Sequence, residues 1–295
     1  MNYRHHFHAG NFADVMKHAL LVQLVRGLQR KEKGCFLLDT HAGRGGYDFS
    51  LAAMGDTLPR APEHPDGIGR LGTGTDLPAP LADYLGLVQA FNAARAPAPW
   101  AFYPGSPWLL RLLARPQDRM AFCEKHPEEF AALQGEFGGD RRVSVHAMDG
   151  YRAVRAMLPP PEKRGLVLID PPFEARDEWT AIVTAVRDGL RRFPSGVYAL
   201  WYPLTERARV DEFFESLLGL PLPPTLAAEI VVAPEAPKMK GCGLVILNPP
   251  WQFDREAAPV LGYLAKALAQ TRGGGSSLRW LVPEQPNGSA VGTGS

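Results

Sequence analysis

Four apolar residues, Leu166, Val167, Leu168 and Ile169, run directly into Asp170, Pro171, Pro172 and Phe173. A short unbroken apolar run bounded by turn formers reads as a strand buried on both faces, and such strands sit inside parallel sheets covered by helices. The two prolines fix φ and remove two backbone donors, so the chain leaves the sheet as a stiff, extended loop with free carbonyls. Asp170 and the Pro171 carbonyl are therefore placed to accept both N–H bonds of a single amino group.

Such a pair addresses one chemical difficulty. The exocyclic amine of a nucleobase is a weak nucleophile because its lone pair is delocalised into the ring. Two fixed acceptors draw its nitrogen toward tetrahedral geometry, while Phe173 offers a face for base stacking worth about 1–3 kcal/mol. The loop resembles the Asp/Asn-Pro-Pro-aromatic motif of methyltransferases that use S-adenosyl-L-methionine to methylate planar amines. It does not choose among adenine N6, cytosine N4, guanine N2 and a glutamine amide. Asn248-Pro249-Pro250-Trp251 is a second copy of the pattern. Chain position favours Asp170, because the orienting loop should follow the fourth strand and the copy falls several elements later.

The remaining strands are read the same way. Cys35–Leu38 is an apolar run opening into Asp39-Thr40-His41-Ala42-Gly43, a small-residue turn without the GxGxxG spacing of a pyrophosphate site. Its acid and its glycine, Asp39 and Gly43, resemble the first S-adenosylmethionine motif, whose ligand is cationic. Met120–Cys123 ends at Glu124, Val143–Val145 leads to Asp149 and Gly150, and Leu166–Ile169 ends at Asp170. Acids at successive strand ends line the carboxyl edge of a parallel sheet, where such folds bind ligands. Glu124 is expected to hold ribose hydroxyls, and the Asp149 region an adenine edge. Ser106 with Pro107 reads as an N-cap followed by the first helical position. Further strands are expected near Val197–Trp201, Glu229–Val232, Leu244–Leu247 and Leu278–Val282, with a turn over Gly273–Ser276.

Two stretches break the alternation. The opening residues, Tyr3 to Asn11, interleave aromatic and cationic groups without apolar periodicity and read either as a frayed terminus or as an arm for nucleic acid. Asn11 and Asp14 then start a helix in which Lys17 and His18 occupy the second turn, where such side chains are usually solvated. Residues 47–102 change in composition: a Gly- and Pro-rich loop from Asp56 to Thr75 precedes an amphipathic helix over Leu81–Ala94. The organisation expected is thus 1–46 with the arm, first helix and first strand, 47–102 as an inserted helical subdomain, 103–284 as the remainder of the domain, and 285–295 as a disordered tail.

With 295 residues and a net charge of +1, a basic nucleic-acid coat is excluded, and RNA contacts must come from local clusters. No apolar run reaches the roughly 20 residues of a membrane span, and the opening residues are polar, unlike a secretion signal. Cys35, Cys123 and Cys242 lack metal-ligand spacing, so neither a disulfide framework nor a metal is expected. A cytoplasmic monomer is the expectation.

Taken together, YRHHFHAGN at Tyr3–Asn11, DTHAG at Asp39–Gly43, YPGSP at Tyr103–Pro107, the Asp170 loop, YALWYP at Tyr198–Pro203 and NPPW at Asn248–Trp251 are similar to the ribosomal RNA large subunit methyltransferase J family. The likeness runs from Tyr3 to Glu284. That family methylates N6 of adenine 2030 in 23S rRNA. The resemblance implies an α/β fold, the Rossmann-like class I S-adenosylmethionine-dependent methyltransferase sheet with a small helical insertion. It implies that Asp170 is the proton acceptor and that His18, His41, Ser106, Glu124, Asp149 and Gly150 touch the cofactor. It also implies that Tyr3 contacts the RNA, with His5 and Lys17 near the active site. Two alternatives stay open: a methyltransferase of another planar amine such as guanine N2 in rRNA, and a non-catalytic RNA-binding module.

Overall fold

Each apolar run marked as a strand takes its place in one sheet of the computed structural model, which describes residues 7–52, 61–72, 76–95, 100–175 and 177–284. The chain opens with helix α1 (Phe12–Gln29) and strand β1 (Phe36–Asp39). Next come β2 (Gly46–Asp48), the short α2 (Phe49–Ala52), two single turns of 3-10 helix at His64–Asp66 and Ile68–Leu71, α3 (Ala79–Ala93) and β3 (Phe102–Pro104). Strands and helices then alternate through α4 (Ser106–Leu113), β4 (Arg119–Glu124), α5 (Pro127–Phe137), β5 (Val143–Ala147), α6 (Gly150–Met157) and β6 (Gly165–Ile169). The rest comprises α7 (Glu178–Arg192), β7 (Val197–Leu204), α8 (Arg207–Leu218), β8 (Thr225–Val231), β9 (Gly241–Leu247), α9 (Phe253–Ala267) and β10 (Gly275–Val282).

Eight of these strands form one sheet in the order β10-β8-β9-β7-β6-β1-β4-β5. Pairing is parallel from β5 through β7, and β9 then runs antiparallel to both β7 and β8. This is a mostly parallel α/β sheet with an antiparallel edge. Its central strands read as unbroken apolar runs because both faces are covered. In β1, Leu37 faces the cluster built on α1, α4 and α9, while Phe36 and Leu38 face the cluster built on α6, α7 and α8. The strand order reverses at β1, between β4 on one side and β6 on the other, and a crevice opens at the carboxyl ends where connections diverge. The turn expected over Gly273–Ser276 is shorter than anticipated, since β10 already begins at Gly275 and pairs with Val231. Among the described residues no helix is long and apolar enough to cross a membrane.

The frayed reading of the amino terminus fails for residues 7–11. Phe7 and Ala9 are buried, and the segment is pinned by residues 63–68. Ile68 N–H donates to the Gly10 carbonyl at 2.8 Å, Glu63 N–H donates to the Phe7 carbonyl at 3.0 Å, and Glu63 carboxylate oxygens meet His8 Nδ1 at 3.0 Å and Asn11 Nδ2 at 2.8 Å. The approach is close enough to require glycine at 67, where a Cβ would lie 2.0 Å from the Gly10 carbonyl oxygen. The segment between β1 and α4 begins and ends in a two-stranded ribbon, β2 against β3, and its helix α3 packs on α1.

Asn11 has two jobs in this arrangement. Its Oδ1 caps α1 by accepting Ala13 N–H at 2.9 Å and Asp14 N–H at 3.0 Å, and its Nδ2 donates to Glu63. Removing both should cost about 1–2 kcal/mol. Asn11→Ala is therefore expected to lower the unfolding free energy by that amount in urea denaturation, and an unchanged midpoint would contradict the dual role.

Candidate active site

The crevice at the carboxyl edge is a cavity of about 450 Å³, within the size range of small-molecule sites. Its wall brings together Lys17 and His18 from α1, His41 from the loop after β1, Ser106 from α4, Glu124 at the end of β4, Asp149 and Gly150 at the start of α6, and Asp170 to Phe173 after β6. Asp39 and Gly43 do not line it; Asp39 is buried and Gly43 half-buried. Tyr3 and His5 fall outside the described residues.

Lys17 is not solvated. Its ammonium is buried between two carboxylates, 2.7 Å from Asp14 Oδ1 and 2.5 Å from Asp170 Oδ2. Burial opposes the charged form, but Asp14 and Asp170 outweigh it and hold the Lys17 pKa above the usual ammonium range. Asp14 is itself fixed, because its Oδ2 accepts Gly10 N–H at 3.0 Å. Beside this pair His18 is buried, with Nδ1 2.8 Å from the Tyr103 hydroxyl, which in turn lies 2.9 Å from that of Tyr84.

The acids at the strand ends divide between scaffold and cavity. Asp149 caps α6 through Oδ1, accepting Tyr151 and Arg152 N–H at 3.1 Å, while its Oδ2 faces Lys125 at 3.8 Å. Glu124 accepts Gly43 N–H at 2.8 Å and His126 N–H at 2.7 Å, which locks its carboxylate at the lip of the β1 turn. Gly150 answers to packing as well, since a Cβ there would come within 2.0 Å of the Thr40 carbonyl oxygen. His41 Nδ1 lies 2.8 Å from the Thr40 hydroxyl; burial lowers its pKa to about 4, with Asp149 working in the other direction. It is therefore a neutral imidazole at neutral pH. Asp39 is fully enclosed, and burial pushes its carboxyl up to about 7 against the pull of the Ser106 hydroxyl and the His41 N–H.

One expectation is corrected here. The N-cap of α4 is Gly105, so Ser106 is already the first helical residue and Pro107 the second, and no side chain caps this helix. Ser106 is buried, beside Asp39 and on the cavity wall. The capping role that would have explained Ser106 without a ligand is absent.

The rival motif is separated by strand direction. β9 runs opposite to β7, so Leu247 pairs with Tyr198 and the chain emerges at the amino edge, across the sheet from the cavity. There Asn248 Nδ2 donates to the Pro194 and Gly196 carbonyls at 2.8 and 2.9 Å, Pro250 packs on Gly27, and Trp251 is 71% exposed. Phe173, by contrast, stands on the cavity wall with φ +51°, uncommon for a bulky residue, wedged edge-on by Trp179 at 4.7 Å and Trp201 at 5.6 Å. Asp14, Trp201 and Tyr151 are wall residues the sequence reading did not select. The Asp14–Lys17 spacing of three along a helix was the available signal.

The donor set decides what the cavity suits. Six carboxylates line it, from Asp14, Glu124, Glu129, Asp149, Asp170 and Glu178, against the two ammoniums of Lys17 and Lys125. Such a wall repels a pyrophosphate and favours a cationic ligand. A sulfonium nucleoside with ribose hydroxyls and an amino-acid ammonium fits these acceptors.

A family model described as "Ribosomal RNA large subunit methyltransferase D, RlmJ" matches residues 32–282. The protein named ribosomal RNA large subunit methyltransferase J from Haemophilus influenzae is 38% identical over 286 residues, covering 96% of this chain and all of that one. The protein of the same name from Escherichia coli is 37% identical over the same span and coverage. A Legionella pneumophila protein of known crystal structure superimposes with a TM-score of 0.81 at 34% identity, over 92% of this chain and 97% of that one.

Two outcomes follow from the electrostatics. Lys17→Met leaves the Asp14 and Asp170 carboxylates enclosed without their shared cation, and should destabilise the protein by about 3–5 kcal/mol at neutral pH. Calorimetry or urea unfolding measures this directly, and a loss under 1 kcal/mol would contradict the buried bridge. Asp39 supplies a pH dependence. Its folded pKa of about 7 lies above the ordinary 3.8, so the native state binds this proton more tightly than the unfolded chain. The carboxyl therefore subtracts stability as pH rises between those values, by up to about 4 kcal/mol. Asp39→Asn removes that titration, and its stability relative to wild type should improve from pH 4.5 to pH 7.5. A constant difference across the window would exclude it.

Proposed function

The chain belongs to the family described as ribosomal RNA large subunit methyltransferase D, RlmJ, and on that premise we propose that it methylates 23S rRNA at N6 of one adenine, adenine 2030, using S-adenosylmethionine. The observation that carries this reading is the Lys17–Asp170 contact. Lys17 occupies Oδ2, and Oδ1 carries no hydrogen bond among the described residues, which leaves it for a substrate donor beside Phe173.

Asp170 Oδ1 and the Pro171 carbonyl accept the two N–H bonds of the adenine amine. Lys17 and Asp14 hold the carboxylate in that orientation, so little reorganisation is needed when the base arrives. Phe173, fixed by Trp179 and Trp201, stacks on the base once it is turned out of its helix. Glu124 and Asp149 Oδ2 accept from the ribose and adenine of the cofactor, with His18, His41, Ser106, Gly150 and the Gly43 turn around them. Asp39 supports that turn from behind. When bound, the cofactor supplies an electrophilic methyl carbon. The surplus proton of the methylated amine passes to Asp170 Oδ1 and from there to water.

Tyr3 and His5 are proposed to contact the RNA, as the family resemblance implies; of the residues that follow them, His8 and Asn11 form part of the cavity wall. Residues 47–102 act as a subdomain that anchors residues 7–11. The substrate places the protein in the cytoplasm.

The direct test is transfer of labelled methyl groups to 23S rRNA fragments, followed by digestion and identification of the nucleoside. N6-methyladenosine supports the reading, and N2-methylguanosine or no transfer overturns it. Asp170→Asn should lower kcat by 100-fold or more while changing cofactor affinity less than threefold. Tyr3→Ala should raise KM for RNA with cofactor affinity intact; equal loss of both would make the arm structural only.

A further inference from the structure

A single turned-out base does not hold a large RNA, and the acidic cavity wall repels its phosphates. The strand must be gripped outside the cavity. Helices α6 and α7 pack side by side on one face of the sheet, and their exposed sides carry Arg152, Arg155, Arg187, Arg191 and Arg192. With Lys125 these side chains border two shallow grooves. Arg155 and Arg192 border both grooves, so the two are continuous. Lys125 and Asp149 border the first groove and the cavity alike, so the strip begins at the lip of the active site.

Folding uses little of the charge on this strip: Lys125 faces Asp149 at 3.8 Å and Arg192 donates to the Leu158 carbonyl at 3.4 Å. Among the described residues none of the five arginines is in an ion pair, whereas Arg44, Arg115, Arg119 and Arg142 all are. Six cations on the strip face two carboxylates, Asp149 and Asp188, in a chain whose net charge is only +1. Spacings of three between Arg152 and Arg155, and of four between Arg187 and Arg191, set these side chains on common helix faces. Guanidinium forks pair with phosphate oxygens in two-point geometry and read no base.

We propose that the α6–α7 strip is the track for the phosphate backbone of the RNA flanking the target adenine. This rests on the reading of function above. The strip supplies affinity and register, while selection of the base stays with the Asp170 loop.

The test compares wild type, Arg155→Ala/Arg187→Ala/Arg191→Ala, and a control, Arg255→Ala/Lys266→Ala/Arg272→Ala, that removes as much charge from α9 on the opposite face and just beyond it. Binding of a 23S rRNA fragment containing the target is measured across salt concentrations, together with methyl transfer. The strip variant should bind about tenfold more weakly at moderate salt. Its slope of log affinity against log salt should flatten by about 2 to 3, from ~0.7–0.9 per lost phosphate contact. KM for RNA should rise in step, with cofactor affinity and Tm unchanged, and the control should behave as wild type. Wild-type affinity and slope in the strip variant, or equal weakening in the control, would overturn the track alone. A wild-type protein that transfers no methyl group to the RNA would overturn the reading of function together with it.

Discussion

The arrangement depends on one buried ammonium. Lys17 joins α1, which precedes the sheet, to the loop after β6, more than 150 residues away, and it does so between two carboxylates, of which Asp14 is also held by the Gly10 N–H. None of the three groups is tolerable in the interior alone, because an enclosed charge without its partner costs several kcal/mol. Their mutual satisfaction therefore requires α1 to be capped at Asn11, residues 7–11 to be seated against Glu63 and Ile68, and β6 to deliver Asp170 in register. Packing of the amino-terminal segment and geometry of the acceptor pair are a single requirement.

The acids around the cavity show how a structural role can leave part of a side chain open to a ligand. Asp149 uses one oxygen to start a helix and turns the other outward, and Asp170 gives one oxygen to Lys17 and keeps the second. Glu124 commits both oxygens to main-chain N–H groups, which fixes where its remaining lone pairs point. A capping explanation for such a residue does not compete with a binding one. Rigid attachment is what makes the remaining acceptor useful, because its orientation is set before any ligand arrives.

Much of this could be read from the residues alone. Strands buried on both faces announce themselves as unbroken apolar runs, and the topology of a parallel sheet then sends their terminal acids to one edge, so Glu124, Asp149 and Asp170 were legible together. What was not legible involves distant partners. Nothing local in the sequence tells that Lys17 meets Asp170, that Glu63 reaches back to Asn11, or that Trp201 wedges Phe173, since each contact joins segments far apart in the chain. Ser106 misled for the opposite reason: a strong local rule favoured capping, and the N-cap falls one residue earlier, at Gly105. The arginines of α6 and α7 escaped notice because each, taken singly, looks like an ordinary solvated position.

The duplicated Pro-Pro pattern carries a broader consequence. Asn248 closes a corner at the amino edge by bonding two carbonyls, although its tetrapeptide has the same chemical character as the one at Asp170. What separates them is the heading of the strand that each one terminates. A short chemical signature is thus half of a statement, and orientation within the sheet supplies the other half; a segment lifted into a strand of opposite polarity would become a joint in the framework instead of a tool.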